Sequence, residues 1–207
     1  LARRGYAIDA IELGENMAAI ARRALASYPQ AHVRVGTFEQ ADIAEGMYDL
    51  VTSATAWHWV DPTVRYVKAA RALRPGGALA PFWSVHVHTD ADGGFFEQVQ
   101  KVYDRLVPEL TQGTEPMRHV EQLPEAERTE IERSGLFGPV AVRRYGWDEP
   151  YTTARYIALL STYSNHRTLP DERRQHFFDA IAALMDSTYG GRIVKGYAAM
   201  LYVARRT

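Results

Sequence analysis

The sequence contains no cysteine. That excludes disulfides, thiolate metal sites, cysteine nucleophiles and iron–sulfur clusters together. It also lacks any apolar run near the ~20 residues that a membrane-spanning helix needs. Neither sign of charge dominates: 24 Lys and Arg stand against 25 Asp and Glu, a net charge of -1. A broad basic surface for nucleic acid and a polyacidic tail are therefore not indicated. The pairs Arg143-Arg144, Arg173-Arg174 and Arg205-Arg206 lack the interleaved aromatics of a nucleic-acid groove. Repeats and low-complexity tracts are missing too.

What remains is globular. Apolar residues make up 46% of the 207 residues and charged ones 24%, enough for the core of one domain over 1–207. The expected setting is cytoplasmic, with no membrane or nucleic-acid partner; oligomeric state is not legible.

Two hydrophobic periods alternate along the chain. Tyr6–Leu13, His32–Phe38, Tyr48–Thr55 and Ala78–Val85 are short apolar runs that predict buried strands. Glu15–Tyr28 carries Met17, Ile20, Ala21 and Ala24 at helical spacing and stops at Pro29. Asp61-Pro62 is a helix start. The helix should run to about Leu73, with Val64, Val67 and Leu73 inward and Arg65, Lys68 and Arg71 outward. Pro75-Gly76-Gly77 predicts a turn. Further on, Phe95–Leu110, Pro124–Ser134, Thr152–Tyr163 and Pro170–Tyr189 predict helices, while Val140–Trp147 and Arg192–Arg205 predict strands. The alternation predicts an α/β fold with a doubly wound, mostly parallel sheet. Residues 150–189 should form a helical cover, and the final strand, after the Gly190-Gly191 turn, should be antiparallel to Val140–Trp147.

Glu12 ends the first strand, where an acid in an open parallel sheet can accept hydrogen bonds from a ribose diol. Trp57, His58 and Trp59 are the densest aromatic cluster. They read either as a wall of a pocket for a cationic group or as core under the next helix. His58 is a candidate proton acceptor or a ring satisfied by a carbonyl. His86, His88, Asp90 and Asp92 alternate as on one strand face, but the glycines that follow favour a polar loop, and no metal is expected.

The runs AIDAIELGENMAAIARRAL, VRVGTFEQADI, YDLVTSATAWHWVDP and RALRPGGALAPFWS, in this order, resemble the class I S-adenosylmethionine-dependent methyltransferases, most closely the small-molecule branch with the trans-aconitate methyltransferase-like proteins. The resemblance covers about residues 1–85. It implies a Rossmann-like fold, S-adenosylmethionine as cofactor and methyl transfer to a small-molecule acceptor. Glu12 then matches the ribose-binding acid, and Leu13 and Met17 lie near the adenine. Thr37, Phe38 and Glu39 match the adenine-reading segment. Thr37 stands where the family usually has an acid, so that contact falls to the Phe38 backbone. Ala54, Thr55 and His58 fall beside the methionine portion, and Trp57, Trp59 and Tyr151 line the acceptor pocket. No catalytic residue is required when the acceptor is already nucleophilic; His58 is the candidate.

Two other readings stay open. One is a Rossmann-type NAD(P)-dependent oxidoreductase, which shares the strand-end acid but not an antiparallel last strand. The other is a non-catalytic remnant. Leu1–Gly5 reads as the end of a helix, so the first strand and glycine-rich loop of the resembled family are expected upstream. Without that strand its neighbours would stand ~9–10 Å apart. The expectation is therefore upstream residues, or a rearranged or exchanged strand in the gap.

Overall fold

A computed structural model describes residues 1–111 and 116–207. The chain divides into two compact units: Leu1–Trp83 with Glu125–Val142 and Leu201–Thr207, and Ser84–Pro124 with Arg143–Met200.

The first unit opens with a short 3-10 turn, Ala2–Arg4, ended by Gly5 in the left-handed region. Strand β1 (Ile8–Glu12), helix α1 (Glu15–Ala24) and strand β2 (Ala31–Val35) follow. β1 and β2 pair in parallel, from Ile8 opposite Ala31 to Glu12 opposite Val35. α1 ends four residues before Tyr28. The chain there tightens into turns, with the Tyr28 N–H donating to the Leu25 carbonyl, because the residue before a proline resists helical angles. The burial expected of these strands is not reached. Val35 of β2 is 47% exposed, and Leu50 of β3 (Tyr48–Ala54) is 40% exposed.

Helix α2 (Arg65–Ala72) leads into β4 (Leu73–Val87). β3 and β4 are parallel, and their register jumps between Tyr48–Leu73 and Leu50–Ala78. The turn expected at Pro75-Gly76-Gly77 is therefore an irregularity inside one long strand. Gly77 has to be glycine there: a Cβ would stand 3.0 Å from both the Tyr48 and Arg74 carbonyl oxygens. α4 (Ala126–Arg133) completes the helices of this unit and ends before Gly135, at φ 66°.

β3 and β4 belong to a four-stranded sheet of order β3-β4-β6-β5, with β5 at Ala141–Thr152 and β6 at Arg192–Arg205; β1 and β2 form a second sheet. β6 runs against both neighbours. The Gly138 N–H donates to the Arg205 carbonyl and the Thr153 N–H to that of Gly191, which sets β5 antiparallel. The Arg206 N–H donates to the Gly77 carbonyl, while Gly196 lies against that of Val87, which sets β4 antiparallel. The fold is thus the expected mixed α/β, but its sheet is in two parts. Among the described residues no strand lies between β1 and β3, so the expected gap-filling strand is not found. Their direct polar link is the Tyr48 hydroxyl, which donates to Asp9 at 2.8 Å.

The second unit is helical over its stretch of β-strands. α3 (Phe95–Leu106), α5 (Thr153–Leu160), α6 (Ser164–Arg167) and α7 (Asp171–Thr188) are its helices. The spacing of Phe177, Phe178, Ile181 and Met185 makes one face of α7, which packs with Phe95, Val99, Leu160, Ile193 and Tyr197 in a common core. His86 and His88 lie on β4, whereas Asp90 and Asp92 lie on a 3-10 turn. The alternating face expected of these four is thereby broken. No helix among the described residues is long and apolar enough to cross a membrane.

His166 is 1% exposed inside the second unit's core. Its Nδ1 lies 2.8 Å from the Leu160 carbonyl and its Nε2 2.9 Å from the Tyr103 hydroxyl. Neutral imidazole satisfies both, donating at Nδ1 and accepting at Nε2. Burial pushes its pKa below the ordinary 6.5. A depressed folded-state value contributes stability that is whole above the unfolded value and lost as pH falls through the folded one. His166→Gln should therefore flatten the loss of stability on acidification below about pH 6.5, as read by urea unfolding across pH. An unchanged slope would contradict this.

Candidate functional site

Three strand ends of the first unit come together. β1 and β2 are parallel and in register to their last residues, so both carboxyl ends lie on one edge. The Gly36 N–H donates to the Glu12 carbonyl at 3.0 Å, fixing the exit of β2 beside that of β1. β3 joins them through its exit segment: the Phe38 and Trp57 rings lie 5.8 Å apart, and the Asp61 N–H donates to Glu39 Oε1 at 2.8 Å.

Glu12 is the last residue of β1, as expected. Its Oε1 accepts the Gly14 N–H at 2.9 Å, at the start of α1. Its Oε2 has no partner among the described residues. Leu13 and Met17 stand next to it, 71% and 58% exposed, an apolar surface left open to solvent. The Phe38 N–H, past the exit of β2, donates to nothing among the described residues.

The neighbours of Phe38 are engaged elsewhere. The Thr37 hydroxyl accepts the Gln40 N–H. The Asp61 N–H on Glu39 holds the Glu39 carboxyl below its usual range, so this side chain serves the loop and not an open surface. Lys68 pins the segment from beneath, donating to the Glu39 and Ala41 carbonyls, and stands 5.7 Å over the Phe38 ring.

Ala54 closes β3, and Thr55 follows with φ 52°, the one non-glycine residue with positive φ among the described residues. Such strain persists only where its surroundings over-determine it, and it clusters at functional sites. Here the Thr55 N–H is held by the Phe82 carbonyl at 2.8 Å. The three aromatics beyond it part company. Trp57 is 2% exposed and packs on Phe38 and Tyr66, which makes it core rather than pocket wall. Trp59 is 80% exposed. His58 is exposed, and its Nδ1 accepts the indole N–H of Trp83 at 3.1 Å. Indole only donates, so a neutral His58 carries its proton on Nε2. In that arrangement it offers a donor to a ligand, and the proton-acceptor role is already taken by Trp83. Tyr151, expected to line the pocket, lies in the core of the second unit with its hydroxyl 2.8 Å from that of Tyr197.

Sequence reasoning missed what supports this corner. Arg65 and Val67 exchange the faces expected of them: Arg65 is 5% exposed and Val67 43%. Asp61 caps the turn ahead of α2, with its side chain accepting from Thr63 and its carbonyl from the Val64 and Arg65 amides. That geometry turns Arg65 inward. Its guanidinium donates to the Trp57 carbonyl at 3.1 Å and pairs with Glu130. Tyr66 donates to Glu127 at 2.5 Å, and burial raises the pKa of both groups. Nothing in the sequence joins the acids Glu127 and Glu130 of α4 to residue 65.

Residues 1–80 match the family described as a methyltransferase domain. An uncharacterized methyltransferase of Mycobacterium tuberculosis is 28% identical over 185 residues, covering 89% of this chain and 67% of that protein. Among solved structures, a protein of Anaeromyxobacter dehalogenans assigned as a type II methyltransferase superposes with a TM-score of 0.57 at 21% identity, covering 95% of this chain and 79% of that one. The YcgJ protein of Bacillus subtilis does so with a TM-score of 0.50 at 16% identity, over 96% and 81%. These two likenesses concern the fold.

The Arg65 arrangement has a measurable consequence. Arg65→Met removes a buried cation whose acceptors stay behind, and Glu130 is half exposed and can rehydrate. The expected loss is ~1–3 kcal/mol in urea unfolding, the scale of a hydrogen bond to a charged group, with a blue shift or intensity change in Trp57 fluorescence. A variant as stable as the parent would contradict the role given to Arg65.

Proposed function

We propose that this chain is a class I S-adenosylmethionine-dependent methyltransferase that transfers the methyl group to a small-molecule acceptor, with the cofactor held at the carboxyl ends of β1, β2 and β3; the methyltransferase-domain match over residues 1–80 supports this reading. The observation that carries the reading is the pairing of Glu12 and Phe38. Among the described residues, one carboxylate oxygen of Glu12 at the end of β1 and the backbone N–H of Phe38, three residues past the end of the parallel β2, have no partner. Glu12 accepts from the ribose hydroxyls through Oε2, while Gly14 holds its Oε1. The Phe38 N–H meets the adenine edge, and Leu13 and Met17 cover the adenine face. These residues fit the ribose and adenine. Ala54 and Thr55 fall beside the methionine portion, and His58 and Trp59 border the acceptor.

The cofactor supplies an already activated methyl on a sulfonium, so the protein's work is orientation and water exclusion. An acceptor that is already anionic would take the methyl with its own lone pair as the carbon–sulfur bond gave its electrons to sulfur, which leaves no proton to remove. His58, donating from Nε2, orients an acceptor lone pair and takes no proton. The antiparallel β6 separates this reading from a Rossmann-type oxidoreductase, and the Mycobacterium relative supports it.

Calorimetric titration with S-adenosylmethionine and S-adenosylhomocysteine tests the proposal. Glu12→Ala should weaken binding by ~1.5–3 kcal/mol, the scale for hydrogen bonds to a charged group. No binding by the parent chain, or equal binding by the variant, would overturn the assigned site.

A further inference from the structure

The second unit contains a largely buried cation that none of its described residues neutralises. Lys195, on β6, is 4% exposed. Its ammonium stands 4.7 Å from the Phe96 ring centre and 5.6 Å from that of Tyr197. Ring faces attract a cation but give no lone pair to its three N–H groups. Among the described residues no carboxylate pairs with it and no acceptor takes its hydrogen bonds. The other buried charged groups have acceptors or opposite charges, although Arg65 Nε itself has no hydrogen bond among the described residues. Arg65 has the Trp57 carbonyl and Glu130, and Asp92 has the Gly94 N–H and His88. Burial pushes the Lys195 pKa down only to about 8, so the group is still mostly protonated at neutral pH. A desolvated charge without a counter-ion is kept only against a considerable loss of stability. That loss is relieved when a ligand brings the opposite charge.

The surroundings indicate what such a ligand is. Tyr197 borders the ammonium on one strand position and, with Trp147 and His88, also lines a cleft of about 230 Å³. The Trp147 and Tyr197 rings stack at 5.4 Å, nearly parallel. The cleft wall is thus aromatic at Trp147 and Tyr197, Thr89 and Asp148 add polar groups to its lining, and the Lys195 ammonium stands against the Tyr197 ring outside that lining.

We propose that Lys195 is the binding group for the oxyanion of a small organic acid, a carboxylate or a phosphate ester carried on a planar or aromatic body that packs against Tyr197 and Trp147. The identification of this acid with the methyl acceptor rests on the reading given above; the anion site itself does not.

Titration of the chain in the absence of S-adenosylmethionine, with benzoate, phenyl phosphate and benzyl alcohol as probes, tests the site by calorimetry and melting temperature. At least one of the two anions should bind and raise the melting temperature, and the neutral alcohol should not. The stronger anion identifies the oxyanion. Lys195→Met should melt higher than the parent without ligand and lose anion affinity by roughly tenfold or more, as expected for one charge-assisted hydrogen bond. Lys195→Arg, which keeps the charge, should retain part of the binding. No anion binding by the parent, equal binding of benzyl alcohol, or undiminished binding by the methionine variant would overturn the proposal. Since no cofactor is present, those outcomes would leave the methyl-transfer reading intact.

Discussion

The buried guanidinium of Arg65 is the interaction on which the geometry of the first unit depends. It reaches from the start of α2 to the Trp57 carbonyl on one side and to Glu130 of α4 on the other. Trp57 in turn packs on the Phe38 ring, and the Phe38 N–H past the exit of β2 has no acceptor among the described residues. Lys68, one turn further along α2, holds the same segment through two carbonyls. One helix thus positions two strand exits with two cations. The arrangement is rigid because each cation is bonded to backbone, which cannot be displaced without moving a strand end.

That rigidity suits a reaction in which the protein contributes position. Glu12 is fixed by Gly14 and presents one oxygen, Phe38 presents one N–H, and Thr55 is held in a strained turn by Phe82. In the proposed reading these groups position a nucleoside, and the Trp83 indole N–H occupies Nδ1 of the nearby His58. The second unit follows a different logic. It is a helical core on a stretch of β-strand, and its Lys195 has ring faces but no counter-ion around it among the described residues.

Much of this was legible in the sequence because it is local. The final strand Arg192–Arg205 is found with the boundaries its Gly190-Gly191 turn predicts, and α7 follows its apolar spacing. Glu12 lies where a strand-to-helix change of period places it. What was not legible is non-local. Arg65 faces inward because an acid 65 residues away and a carbonyl receive it, so amphipathic spacing alone assigned it to the wrong face. The Pro75-Gly76-Gly77 irregularity stays inside β4 because Tyr48 of another strand closes on Gly77. Glu39 looked available by its place in the motif, and a loop amide takes it. Strand burial was overestimated, because apolar runs report the sheet a strand can join and not whether both of its edges and faces are covered.

The central claim is that the open Phe38 amide and Glu12 carboxylate receive the nucleoside of the cofactor. Its most direct test is an amide-resolved NMR titration with S-adenosylhomocysteine. The account predicts that the Gly14, Gly36 and Phe38 amide signals shift together and saturate at one ligand equivalent, while those of α7 stay in place. Saturable binding that leaves these three signals unmoved and shifts others would contradict it.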